Sequence, residues 1–211
     1  MTNSSCGRDG LRPLVMRRLN LTMDAQRLIA LRAQKDQFFK NDPHSPLSPQ
    51  QQTAFEGLSY YLYNPKLDFV LELTPFDDKS DVQIQTTTGE TRWYRRVGEV
   101  RFNVGNQETR LTIYQTPHGY FLPFVDANAG KDTYPAGRYL EPPELEDGRL
   151  HLDFNQAYNP YCAYGEPLSL AVAAGREPVR WSCPITPAEN RLKVAIQAGE
   201  KIPVGDWVTH E

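Results

Sequence analysis

Three separated stretches concentrate side chains that can bind a ligand, carry charge or move a proton. The first, DFNQAYNPYCAY at 153–164, places Asp153, Asn155, Tyr158, Asn159, Cys162 and Tyr164 within one short segment. Asn159-Pro160 favours a turn there. A loop this rich in polar groups either satisfies them internally or offers them to a ligand. The second, DANAGKDTYPAGRYLE at 126–141, carries Asp126, Lys131, Asp132, Tyr134 and Arg138. A buried arginine needs a counter-charge, and Asp126 or Asp153 is the natural partner. The alternative use of Arg138 is a clamp on a carboxylate or phosphate. The third, CPITPAENRLKVAIQAGEK at 183–201, adds Cys183, Glu189, Asn190 and Glu200. Asn190 is expected to cap or turn the chain before a last strand, and Glu200 to face solvent. His151 alternates with Leu150 and Leu152 and so shares a strand face with Asp153. Residues two apart on such a face lie about 7 Å from each other, close enough to share a ligand or an ion.

These groups support three chemistries. The first is ligand binding in a polar, aromatic-walled pocket for a small anionic or hydroxylated molecule. Asp126, Tyr134, Arg138, Asp153, Asn155, Tyr158 and Cys162 are its expected lining, with no metal and no cofactor assigned. The second is a small acid–base enzyme, with His151 and Asp153 as candidate catalytic residues and Arg138 as anion stabiliser. The third is a thiol or metal site built from Cys162, Cys183, His151 and Asp153, with zinc as the default ion. Cys162 and Cys183 are read as small buried residues, with a disulfide or a metal as alternatives. Whether the chain is an enzyme stays open at this stage.

Composition narrows the field. The chain has 211 residues, a net charge of −3, 39% hydrophobic and 23% charged residues. That balance argues against a nucleic-acid partner, a membrane partner and wholesale disorder. GxxxxGK[ST], GxGxxG after a strand, HExxH, CxxC and GxSxG are all missing, and histidine occurs only at His44, His118, His151 and His210. Phosphate-loop, dinucleotide-binding, zincin, thioredoxin-like and α/β-hydrolase chemistry are therefore not expected. The first 22 residues hold no apolar run of signal-peptide length, and Arg12, Arg17 and Arg18 interrupt them. They read as a flexible leader, and the expected location is cytoplasmic. Cys6 lies within that leader.

The elements that must position these groups follow from periodicity. Residues 24–40 have helical spacing, with Asp24 as a cap and Pro43 beyond the end. A second helix is expected at 48–56, with Ser48 as N-cap, Pro49 at its first position and Gly57 as its stop. From Tyr60 onward the pattern is that of strands. Leu67, Phe69, Leu71 and Leu73 alternate onto one face. TRWYRRVGEVRFNV and RLTIYQ form the strongest hairpin, with a bulge at Gly98 and a tight turn at Gly105-Asn106. His118-Gly119 turns the chain into YFLPF. RLHLDF at 149–154 and RLKVAI at 191–196 read as strands, and 165–182 as a long excursion. Trp207 is a possible anchor for the tail. The expected fold is mainly β within an α+β class, an antiparallel sandwich or partly open barrel with one or two N-terminal helices packed on it. Residues 23–211 are expected to make one domain.

RAQKDQFFKNDPHSPLSPQQQTAFEGLSYY at 32–61, FLPFVDANAGKDTYPAGRYLE at 121–141, LDFNQAYNPYCAY at 152–164 and CPITPAENRLKVAIQAGEK together resemble one family. It is the uncharacterised prokaryotic domain of unknown function 1684, and the resemblance spans residues 25–201. It implies no activity, cofactor or site residue. The chain departs from the family pattern in a long loop between Cys162 and Cys183 and in Thr186, where a second proline is usual.

Overall fold

The computed structural model describes the backbone of residues 12–178 and 180–209, with side chains from Asp24 onward. Cys6, His210 and the first eleven residues of the leader lie outside that range.

The hairpin that organises the body is written into the chain most plainly. Strand β4 (Thr91–Val104) pairs antiparallel with β5 (Gln107–Thr116) across the two-residue turn Gly105-Asn106. Gly105 sits at φ +60°, a conformation this turn requires and glycine adopts without penalty. The register slips between Arg96 and Gly98, so the expected bulge is present. Gly98 has a second reason to be glycine: a Cβ there would overlap the carbonyl oxygen of Thr74 on the neighbouring strand β2 (Thr74–Pro75). The bulge also changes which side chains face which way. Val97, Val100 and Phe102 enter the main core, while Tyr94, ahead of the slip, joins an aromatic cluster on the other face.

The sheet is antiparallel and open, in the order β2-β4-β5-β6-β7, with β3 (Asp81–Gln85) also paired to β4. Strand β6 is Gly119–Phe124 and β7 is Arg138–Leu140. Against one face lies a two-stranded sheet of β1 (Asp68–Leu71) and β8 (Leu150–Asp153). The layers meet through Phe69, Phe102, Phe124 and Phe154, with Phe154 5.3 Å from both Phe102 and Phe124 by ring centroids. Phe102, Phe124 and Phe154 are buried, and each such side chain contributes about 1.5–3 kcal/mol, with the half-buried Phe69 packed against them. The result is a sandwich-like α+β protein whose sheets do not close into a barrel.

The N-terminal helix α1 runs Arg12–Asn41, so the stretch expected at 24–40 is its C-terminal part, and the leader's residues 12–22 continue it. Its end is held by side chains: Ser45 Oγ (2.7 Å) and Gln52 Nε2 (3.1 Å) both donate to the Phe39 carbonyl. Helix α2 (Pro49–Ala54) opens with a capping box between Ser48 and Gln51. It ends at Ala54 with Phe55 as its C-cap, ahead of Gly57. Gln51 is fully buried and reaches further, donating to the Tyr164 and Trp207 carbonyls at 3.1 and 2.9 Å. That ties the tail to the body, with Trp207 packed on Phe55 at 5.0 Å. Among the described residues no helix is long and apolar enough to cross a membrane.

Two expected elements differ. Residues 191–196 form no strand: the chain bends at Lys193 and Val194, bridges only once, from Arg191 to Val125, and divides its hydrogen bonds between the Val125 and Ala127 backbone and the side chains of Arg138 and Asp126. The excursion at 165–182 contains a short helix, α3 (Leu168–Ala173).

Candidate functional site

Seven residues were expected to line one pocket, and the structure divides them among buried polar contacts, a Tyr134–Cys162 contact and surface hollows. Arg138 is at the centre of the buried contacts, 1% exposed. Gly137, at φ +105°, turns the chain into β7 and delivers Arg138 to the interior. Its guanidinium donates to the carbonyls of Ile196, Ala198 and Glu200, with Ile196 and Glu200 each at 2.9 Å. Asp126 Oδ1 lies 3.6 Å from Nη2. Asp126 also accepts from Thr133 Oγ1 at 2.7 Å and from the Ile196 N–H at 2.9 Å. Burial pulls Arg138 below the usual arginine range, against the opposing pull of Asp126, Tyr61 and Glu200. With the fork occupied by main-chain carbonyls, the side chain is a tie for the 191–200 segment. It is not placed as an anion clamp.

Asn155 is used in the same way. Its Oδ1 accepts from the Asn64 N–H at 2.7 Å, and its Nδ2 donates to the Asn64 carbonyl and to Asp153. Asp153 caps the 3-10 turn Phe154–Gln156 through Asn155 N–H (3.0 Å) and Gln156 Nε2 (2.9 Å). Tyr134 donates to the Cys162 carbonyl at 3.3 Å and contacts its sulfur at 3.7 Å. Glu200, expected in solvent, is 1% exposed. It pairs with Lys35 of α1 and accepts from Asn159 N–H (2.8 Å) and Tyr164 Oη (2.6 Å).

The first hollow, about 800 Å³, lies beside the aromatic face of the main sheet. Tyr94 and Phe121 stack at 5.3 Å, Phe121 meets Tyr139 edge-on at 4.9 Å, and Tyr139 meets Tyr158 at 5.9 Å. Arg92, Glu141 and Glu144 supply charge at its walls. The second hollow, about 750 Å³, lies between α1 and the small sheet and is lined by Asp24, Arg27, Tyr63, Asp68, His151 and Asp153 among others. Glu141, Pro142, Pro143 and Tyr158 line both hollows and form the ridge between them. Tyr158 Oη donates to Glu141 Oε1 at 2.7 Å, which fixes that ridge. Burial and the Glu141 carboxylate push the Tyr158 phenol far up, so it stays a hydrogen-bond donor.

His151 and Asp153 share the wall of the second hollow. The partner of His151 is nevertheless Asp68, on the paired strand, with Nε2···Oδ1 at 2.7 Å. The ring's Nδ1 has no hydrogen-bond partner among the described residues. Burial raises the Asp68 carboxyl, and the contact with His151 opposes that rise.

Cys162 and Cys183 are unpaired thiols, and the Cys162 N–H donates to Cys183 Sγ at 3.2 Å. Among the described residues no group of three or more His, Cys, Asp and Glu side chains is arranged to hold a metal ion, so the four-residue set proposed for zinc does not assemble.

Two residues outside the expected set hold the site's frame. Asn190 is fully buried. Pairing of β5 with β6 stops at Tyr114–Phe121, and beyond it the Asn190 amide accepts from Thr112 N–H (2.8 Å). It also donates to the Thr112 and Pro123 carbonyls (2.9 and 2.8 Å). The side chain thus replaces a rung of the ladder. Glu189 beside it accepts from Tyr114 Oη at 2.6 Å and Arg96 Nε at 3.0 Å.

These features define an α+β protein with an open antiparallel sheet, an aromatic hollow on one face and a His–Asp pair in the neighbouring hollow. The sequence pattern of the family described as "Protein of unknown function (DUF1684)" matches residues 53–201, and the chain belongs to that family. Among solved structures, the chain is similar to the uncharacterized protein from gene locus rrnAC0354 of Haloarcula marismortui, determined by solution NMR. The two are 32% identical, with a TM-score of 0.57, over 83% of this chain and 92% of that one. No curated protein matches the chain.

Proposed function

We propose that the protein binds a small hydroxylated ring compound in the aromatic hollow. The observation that carries this reading is the run of contacting rings Tyr94, Phe121, Tyr139 and Tyr158, which ends on the Glu141 carboxylate. Flat apolar faces accept a ring, and the carboxylate accepts its hydroxyl protons. Glu141 and Glu144 outnumber Arg92 at the walls, which favours a hydroxylated ligand over an anionic one. Two unpaired thiols within reach of each other suit a reducing, cytoplasmic setting.

The test is a thermal-shift screen of hydroxylated ring compounds, followed by calorimetric titration of each stabilising one. Glu141 is exposed, so Glu141→Gln should leave stability within about 0.5 kcal/mol of wild type. It should weaken binding about tenfold or more, the worth of a hydrogen bond to a charged acceptor. Unchanged affinity in that variant contradicts the assignment.

A second reading rests on the His151–Asp68 contact. A carboxylate that orients one imidazole nitrogen leaves the other able to take a proton from a substrate in the second hollow. Ligands of this site should shift the His151 Cε1–H resonance, and Asp68→Asn should abolish that response. Saturating ligands that leave the resonance in place would dismiss it.

A further inference from the structure

Cys162 follows Tyr161 in the 3-10 turn Tyr161–Tyr164, and Cys183 closes the excursion that leaves this turn. The fold returns the two thiols to each other. The Cys162 N–H donates to Cys183 Sγ at 3.2 Å. Tyr134 Oη contacts Cys162 Sγ at 3.7 Å. Cys183 is also fixed by its backbone: its N–H donates to Thr87 Oγ1 at 3.1 Å, and its carbonyl accepts from the Thr87 N–H at 2.9 Å. The buried Cys183 sulfur therefore carries a backbone donor, and the half-buried Cys162 lies next to it. A pair kept only for packing would not need a backbone N–H aimed at one sulfur, a geometry that stabilises a thiolate.

We propose that Cys162 and Cys183 form a reversible dithiol–disulfide site oxidised by a peroxide. Cys183 Sγ, as thiolate, attacks one peroxide oxygen. The O–O bond breaks, hydroxide leaves and takes up a proton, and Cys183 becomes a sulfenic acid. Cys162 Sγ then attacks Cys183 Sγ, the S–O bond breaks, and the departing hydroxide leaves as water with the Cys162 proton. Overall, two thiols lose two electrons and two protons, and one hydrogen peroxide becomes two waters. The polarity of the pair suits these roles. The hydrogen bond from the Cys162 thiol outweighs burial and brings Cys183 down to about 7, while the same contact pushes Cys162 up.

The full chain carrying Cys6→Ser removes the third thiol. It is treated with hydrogen peroxide, alkylated and mapped by peptide mass. The expected product is monomeric, about 2 Da lighter, with Cys162 and Cys183 in one crosslinked species that a dithiol reductant restores. Cys162→Ser should stop at a sulfenic acid on Cys183 that dimedone traps, and Cys183→Ser should leave Cys162 alkylatable. The proposal is overturned if both thiols of the folded chain stay alkylatable while the urea-unfolded chain oxidises. It is equally overturned if dimedone labels Cys162 rather than Cys183, or if the bond forms only between chains.

Discussion

Replacing Arg138 by methionine separates a structural arginine from a ligand-binding one. Methionine keeps most of the volume and removes every donor. Three carbonyls, of Ile196, Ala198 and Glu200, lose their partner inside the core, and Asp126 keeps its charge with only Thr133 and main-chain N–H groups to hold it. Lost bonds cost about 1 kcal/mol each, and removing one member of a buried pair costs about 3–5 kcal/mol in total. We take about 4 kcal/mol, which for a chain of this size lowers Tm by roughly 10 °C. Urea unfolding followed by circular dichroism measures it. Combining Arg138→Met with Asp126→Asn should cost less than the sum of the two by about 1.5 kcal/mol, because the charge left alone in the single variant is gone. A loss under about 1 kcal/mol for Arg138→Met is incompatible with that cost. It would mean that the guanidinium is not what holds residues 191–200 against the sheet.

Two further outcomes follow from the frame around the site. Asn190→Ala should cost about 2–4 kcal/mol in urea unfolding, since it opens the gap between β5 and β6 and strands three main-chain groups; stability within 0.5 kcal/mol of wild type would contradict the rung. The Glu189 carboxyl lies below its usual value: burial pushes it up, but the hydrogen bonds from Tyr114 and Arg96 outweigh that. A carboxyl lowered by folding contributes stability that is complete above its unfolded value, near 4.3, and is lost as pH falls through the folded one. Glu189→Gln should therefore flatten the fall in Tm below about pH 4.5, and an unchanged acid limb would show that another carboxyl controls it.

The parts of the fold legible in the chain were those whose cause is local. Gly98 and Gly105-Asn106 announced the bulge and turn of the β4–β5 hairpin, and Ser48-Pro49 announced the start of α2. Leu67, Phe69, Leu71 and Leu73 do pack on the main core. The 191–196 stretch has the alternation of a strand, yet Leu192 and Val194 bond to the Val125 and Ala127 backbone and Ile196 to Arg138 and Asp126, all more than fifty residues earlier. No local pattern reports such a partner. The same holds for the site. His151 and Asp153 on one face could be read from spacing, but Asp68 reaches His151 only because β1 pairs with β8. Tyr94, Phe121, Tyr139 and Tyr158 come from three strands and a loop, and the slip at Gly98 determines that Tyr94 joins them. Arg138 and Asn155 were expected in a pocket because polar groups at this density suggest one. The structure uses both to satisfy the backbone of other segments, and of the two only Asn155 also lines a hollow, a small one of about 230 Å³ beside Tyr158.

On the proposed reading a ligand sits on the rings beside Glu141. Amide and aromatic NMR shifts recorded during titration with a hydroxylated ring compound that stabilises the chain address it directly. Saturable shifts are expected at Tyr94, Phe121, Tyr139, Glu141 and Tyr158, with Asp126 and Asn190 still. Shifts gathered around Asp24, Asp68 and His151 instead, or spread over the chain without saturation, would contradict it.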